Sequence, residues 1–262
     1  MKQRHGDPIC AAVEWSDLVD ELDRWHAAGR VAGLWWRDDD ARLPSAQLDR
    51  LLVLAGDVPI ALAVVPQGAV PGLAAALASV PGAAVLQHGW QHVNHAGIGK
   101  KSGFPAARQR AIVAAELTAG RARLRALFGA RALAVLAPPW NRLDDRFLPV
   151  LAGPGIGALS RQGARRAAAP APGLVEANVH VDLVAWKGDR GFIGAGPALA
   201  GLVRHMRARR GGIVDAAEPT GILTHHLVQD AQAEAFLSRL LAVVAAHPAA
   251  RWLHAREVFA AA

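Results

Sequence analysis

Cysteine is nearly missing from this chain of 262 residues, where Cys10 stands alone. A lone cysteine excludes an intrachain disulfide framework and any metal site built on several thiolates. Tyrosine is absent, which removes one usual ring of a base-stacking RNA surface. No apolar run reaches the length of a bilayer span, because Gly, Pro, Arg or Asp interrupts each one. The Gly-x-Gly-x-x-Gly turn of a dinucleotide site is missing between the first strand and helix. The amino terminus, Met-Lys-Gln-Arg-His-Gly-Asp, carries charge with no apolar stretch behind it, so no export signal is read there. These absences lead to the expectation of a cytoplasmic protein with no membrane partner.

What is present belongs to a folded enzyme-sized chain. Hydrophobic residues make up 52% and charged residues 19%, which excludes intrinsic disorder. The net charge is +7, but the arginines are scattered among alanines, as in Ala-Ala-Arg-Gln-Arg at 106–110 and Arg-Ala-Arg-Arg at 207–210. That pattern reads as solvated helix faces, and no nucleic-acid partner is expected. No repeat or linker divides the chain. The Arg/Ala/Pro-rich stretch 161–173 reads as a surface loop, so the expectation is a single domain over 1–262.

Apolar runs alternate with helical stretches. Strands are expected at Gly33–Trp36, Val58–Val65, Ala83–Gln87, Ala132–Ala137, Gly157–Leu159, Leu174–Asp182, Gly221–His225 and Arg251–His254. Helices are expected at Ala46–Leu54, Pro71–Ser79, Ala107–Phe128, Asp144–Leu151, Pro197–Arg209 and Ala231–Ala246, with a last short one at the end. Such alternation predicts an α/β protein with a mostly parallel sheet. About seven strands would close a (β/α) barrel, with an open doubly wound sheet as the alternative. A barrel places its chemistry at the C-terminal ends of its strands.

The polar clusters fall at those ends. Asp38, Asp39 and Asp40 follow Leu-Trp-Trp-Arg, so three carboxylates emerge from the core and call for a counter-charge, although a run of Asp also suits an exposed turn. His88 and His92, four residues apart, would share one face of a helical turn and reach one metal ion. Two histidines and a carboxylate hold a divalent ion while leaving positions open. His95 follows, as an orienting group or a loop residue. His225 and His226 end a strand, so one should face the barrel mouth and the other away. Histidine is the usual general acid near neutral pH.

Asp-Asp after the first strand, His-x-x-x-His after a later one, Pro-Pro-Trp at 138–140 and Leu-x-His at 223–225 resemble the ordered motifs of the polysaccharide deacetylase family. The resemblance runs from Trp35 to His226, within a motif region of about 31–230. It implies a distorted (β/α) barrel and a metal-dependent N- or O-deacetylase. It implies Asp38 as catalytic base and Asp39, His88 and His92 as metal ligands, with Asp40 where the family has Gly; a frame shifted by one would use Asp39 and Asp40. It implies that Trp140 lends its backbone N–H to the oxyanion and that His225 is the catalytic acid. Two positions depart from the pattern. Ala137 stands where an arginine would hold the base, with Arg37 and Arg142 as the available replacements. Ala185 stands where an Asp would orient the catalytic histidine, with Asp182 one turn earlier.

The function expected from these residues is removal of an acetyl group, chiefly N-acetyl, from a small saccharide. One divalent ion would serve it: zinc, or else cobalt, nickel or manganese. The bond is an amide or ester, not a peptide bond. Arg142, Asp182, His95, Asp40 and His226 are expected around substrate or ligands. The alternatives are an amidohydrolase acting on a non-sugar amide, and an impaired barrel that binds a saccharide or a protein partner.

Overall fold

The computed structural model describes residues 13–260; Cys10 and the charged amino terminus lie outside them. The first helix, α1 (Trp15–Ala27), has no counterpart among the expected elements. Its pattern is nonetheless helical: Leu18, Leu22 and Trp25 are buried at spacings of four and three, and Asp17 accepts from the Glu14 N–H at the start.

The strands are β1 (Ala32–Ala41), β2 (Ile60–Val64), β3 (Ala83–Gln87), β4 (Ala132–Leu136), β5 (Ala158–Leu159), β6 (Val175–Glu176), β7 (Val181–Asp182), β8 (Thr220–Thr224) and β9 (Ala250–Trp252). They form one sheet in the order β6-β5-β4-β3-β2-β1-β8-β7, with β9 added on β1. Every named pairing is parallel. The result is a distorted α/β barrel with eight strands along its path rather than about seven. The expected strand Leu174–Asp182 is two short ones, β6 and β7, at opposite ends of that path.

The helices α2 (Ala46–Ala55), α3 (Pro71–Ala78), α4 (Arg110–Phe128), α5 (Ala195–Arg210) and α6 (Ala231–Ala246) surround the sheet. A short α7 (Ala255–Val258) ends the described chain. The expected helix Asp144–Leu151 is a 3-10 segment, Asp145–Val150, with Pro149 inside it.

Strand alternation divides the core into two layers. Leu34, Trp36, Ile60, Leu62, Val64, Val85 and Ile222 pack outward with the helices. Trp35, Ala61, Ala63, Ala84, Leu86, Val135, Ala137 and Leu223 pack inward. The inward set is rich in alanine because the concave side of a curled sheet has little room. Phe259 closes this inner layer, its ring edge-on to Trp35 at 5.5 Å between centroids.

Candidate metal centre and active site

The site starts on β1, which runs further than the sequence predicts and carries all three aspartates inside it. Alternation sends their side chains to different places. Asp38 follows Trp36 to the outer face. There it accepts from Thr224 Oγ1 at 2.7 Å, from the His226 backbone N–H at 3.0 Å and from His226 Nδ1 at 2.5 Å. Trp36 Nε1 donates in turn to Thr224 Oγ1 at 2.8 Å. This network ties β1 to β8 behind the sheet and places three donors on the Asp38 carboxylate.

Asp39 follows Trp35 and Arg37 inward. Arg37 Nε donates to its Oδ1 at 2.8 Å and Nη2 to its Oδ2 at 3.1 Å, a two-pronged clamp on a fully buried guanidinium. Arg37 also donates to the Ser160 carbonyl and Oγ at 2.9 and 2.7 Å, and to Asn141 Oδ1. The carboxylate expected beside the histidines is therefore held on an arginine instead.

Asp40 takes that place. A register irregularity between Asp39 and Ala41 and a φ of 77° at Asp40 turn its side chain out of the strict alternation. Its Oδ1 lies 3.3 Å from His88 Nε2 and 3.2 Å from His92 Nε2. The two histidines do not share a helical turn as expected. They meet across a loop in which Gly89 has φ 65° and His92 φ 56°. A Cβ at Gly89 would lie 2.9 Å from the Pro139 ring, so only glycine lets this loop seat against that wall. Four of the five non-glycine residues with positive φ among the described residues are Asp40, His92, Trp140 and Asn141. Such backbone strain concentrates where function over-determines the geometry.

The cluster fits a divalent ion. Asp40 Oδ1 is buried and has no hydrogen-bond donor. His88 Nδ1 donates to the Ala137 carbonyl at 2.8 Å, which fixes the tautomer and leaves Nε2 with its lone pair. Separations near 3.3 Å match the edge of a tetrahedron with bonds of about 2.0–2.1 Å. Burial works against ionisation of Asp40, but the proximity and charge of His88, with the charge of His92, hold its carboxyl well below the usual range. Burial and the charge of His88 push His92 down, which favours the neutral ring that a metal needs.

Around this cluster, the His92 and Trp140 rings lie 4.3 Å apart. His225 is buried at the end of β8, with Nδ1 3.7 Å from Asp182 Oδ1, a charge contact rather than a hydrogen bond. Trp186 stands edge-on to the His225 ring at 4.7 Å and donates from Nε1 to Asp182 Oδ2 at 2.7 Å. Burial raises the pKa of Asp182, while His225 and the Trp186 hydrogen bond work against that rise. His226 goes outward to Asp38. Two expected residues stand apart: Arg142 is tied to the Lys101 carbonyl, and the His95 backbone N–H bonds to the Ser102 carbonyl. Sequence reasoning missed Asn141, Ser160 and Thr224, whose roles come from chain segments distant in sequence. Trp186 had a signal, as an aromatic residue four positions after Asp182.

No family model matches this chain, and no curated protein sequence does. Solved structures do. A peptidoglycan N-acetylglucosamine deacetylase superposes with a TM-score of 0.54 at 15% identity, covering 91% of this chain and 97% of its own. A chitin deacetylase from Colletotrichum lindemuthianum gives 0.54 at 13% identity over 87% of this chain and 88% of its own. A family 4 acetyl xylan esterase from Clostridium thermocellum, solved with a cobalt ion, gives 0.53 at 15% identity, with coverages of 87% and 90%. The chain has the fold of these carbohydrate deacetylases and esterases. With alanine at positions 137 and 185, the arginine that meets Asp39 is Arg37, and the carboxylate nearest His225 Nδ1 in these contacts is Asp182, at 3.7 Å.

Proposed function

We propose that this protein is a metal-dependent hydrolase that removes an acetyl group, chiefly N-acetyl, from a small acetylated saccharide. The observation that carries the reading is the convergence of Asp40 Oδ1, His88 Nε2 and His92 Nε2 beside an arginine-clamped Asp39. Asp40, His88 and His92 would hold one divalent ion, with zinc suited to a His/His/carboxylate set. Bound there, such an ion supplies Lewis acidity towards the acyl oxygen and lowers the pKa of a coordinated water.

The remaining chemistry belongs to the chain. Asp39, oriented by the two-pronged contact of Arg37, takes the proton of the attacking water, the role that the resemblance placed on Asp38. The Trp140 N–H donates to the oxygen on which negative charge develops. His225, backed by Asp182, protonates the departing amine. The ring of Trp186 limits water on that side. The replaced supports at positions 137 and 185 favour an active enzyme over a barrel that only binds. No nucleic acid enters this reading.

The test is acetate release from N-acetylglucosamine oligomers by metal-loaded protein. Asp39→Asn should lower kcat by about 10²–10⁴-fold while metal content stays at one per chain. A protein that binds no metal and releases no acetate from acetylated sugars would overturn the proposal.

A further inference from the structure

The face that carries the candidate site also carries half of the exposed large hydrophobic residues. Of ten such side chains among the described residues, Leu43, Val93, Ile98, Trp186 and Leu227 lie on loops after β1, β3, β7 and β8. The other five are scattered over helices and the opposite end. Ile98 is the extreme case at 95% exposed.

Ile98 sits on a built protrusion. Asn94 Oδ1 accepts from the N–H groups of Ala96 and Ser102 at 3.1 and 3.0 Å, and its Nδ2 donates to the Ala96 carbonyl at 3.3 Å. The His95 N–H closes the neck on the Ser102 carbonyl at 2.9 Å. The loop 94–102 is thus held at its base, with Ile98 beyond it. Lys100 and Lys101 follow after Gly99, both exposed. No Asp or Glu occurs between Asp57 and Glu116, so this stretch of chain has no acidic residue of its own to offset them.

A convex apolar tip beside two free-standing amines suits a fluid apolar phase under anionic headgroups. It does not suit a shaped protein pocket as well, since a single side chain offers little surface for complementarity. We propose that the loop 94–102 docks the protein reversibly on an anionic lipid bilayer, with the candidate site turned towards the membrane surface. The loop begins two residues after His92, so docking brings the site close to substrates carried at that surface. No helix of the described residues is long and apolar enough to cross a membrane; the contact proposed is peripheral, and it reverses the expectation of no membrane partner.

The experiment is co-sedimentation of the full chain with vesicles of phosphatidylcholine alone and of phosphatidylcholine with one part in three phosphatidylglycerol. Binding should appear with the anionic vesicles at low salt and fall steeply at high salt. Ile98→Asp should lower partitioning by about tenfold or more, given the apolar area lost. Lys100→Glu with Lys101→Glu should lower it by at least a similar factor, at about fivefold for each lysine removed. Both changes are at exposed positions outside the Asn94 clasp, and circular dichroism should match the parent. No binding to anionic vesicles, equal binding to neutral ones, or variants that partition like the parent would each overturn the proposal. Acetate release from soluble sugars should be unchanged in Ile98→Asp, so the docking surface is tested separately from the hydrolase reading.

Discussion

Two clusters in this molecule have the same ingredients and opposite chemistry. At the mouth stand His88, His92 and Asp40; near the start of β8 stand His180, His205 and Glu218. In both, the three candidate ligand atoms lie within 4.8 Å of one another. What separates them is the placement of protons. His88 Nδ1 donates to a carbonyl, so its Nε2 offers a lone pair. His180 Nδ1 instead accepts the Gly221 N–H at 2.9 Å, so a neutral ring carries its proton on Nε2 and has nothing to offer a cation. Asp40 Oδ1 lacks a donor, whereas both Glu218 oxygens take backbone N–H groups, from Arg165 and Asn178, each at 2.9 Å. The His180 and His205 rings stack at 3.4 Å, while His88 and His92 stand 5.1 Å apart, edges turned to a common point. Proximity of ligand-type residues alone does not favour a metal; the proposed site differs in having acceptors left unpaired and facing one another.

The largest expected effect tests that contrast directly. His88→Ala or Asp40→Asn should abolish stoichiometric metal binding, well beyond the 10- to 100-fold typical of losing a group that only supports a ligand. His180→Ala and Glu218→Gln should keep one metal per chain by elemental analysis and lower Tm instead. Metal retained by the mouth variants and lost from the other pair would invert the comparison.

The neighbouring aspartates sharpen it. Asp39→Asn should lose activity, and some stability as well, because the buried Arg37 loses its counter-charge. Asp38→Asn should cost about 3 kcal/mol in urea unfolding, because it breaks a buried pair with His226. His225→Ala should follow the Asp39 pattern, with kcat down by about 10²–10⁴-fold, and His226→Ala the Asp38 pattern. Loss of turnover in both Asp38→Asn and His226→Ala, with melting unchanged, would return the base to Asp38.

The smallest effect is a slope. Burial, with the charges of His180 and Arg209, pushes the pKa of His205 down to about 2. The unfolded chain takes up that proton near the ordinary histidine value of 6.5, so the folded state is penalised as pH falls below 6.5, and not above it. This one group should contribute about 1.4 kcal/mol of lost stability per pH unit over that range. His205→Asn, compared with the parent by thermal melting at pH 7 and pH 5, should show a shallower decline; equal declines would remove His205 as a cause.

Much of the architecture was legible because alternating elements and strand-end polar residues leave local marks. The candidate site proposed above differs by one residue along β1 from the frame that the motifs first suggest. Asp lowers strand propensity, which made β1 seem to stop at Trp36. Had it been extended, the parity of Trp35, Arg37 and Asp39 would have paired the arginine with the middle carboxylate. The bulge that swings Asp40 to the histidines has no such mark. Glu218 was illegible for another reason: residues 180, 205 and 218 share no spacing, and only the fold brings them together. Asn141 and Ser160 meet Arg37 in the same way.

The clamp on Asp39 has an inheritance of its own. A tether arriving from β4 would depend on how two strands are registered, and any slip between them would misaim the base. Here Arg37 and Asp39 lie on one strand, and Asp38 and Asp40 share the same four-residue stretch. Strut, clamp, and the proposed base and ligand are therefore encoded as one contiguous word, Arg-Asp-Asp-Asp. Such a word can be transplanted as a unit, and position 137 is released to vary so long as its carbonyl still meets His88.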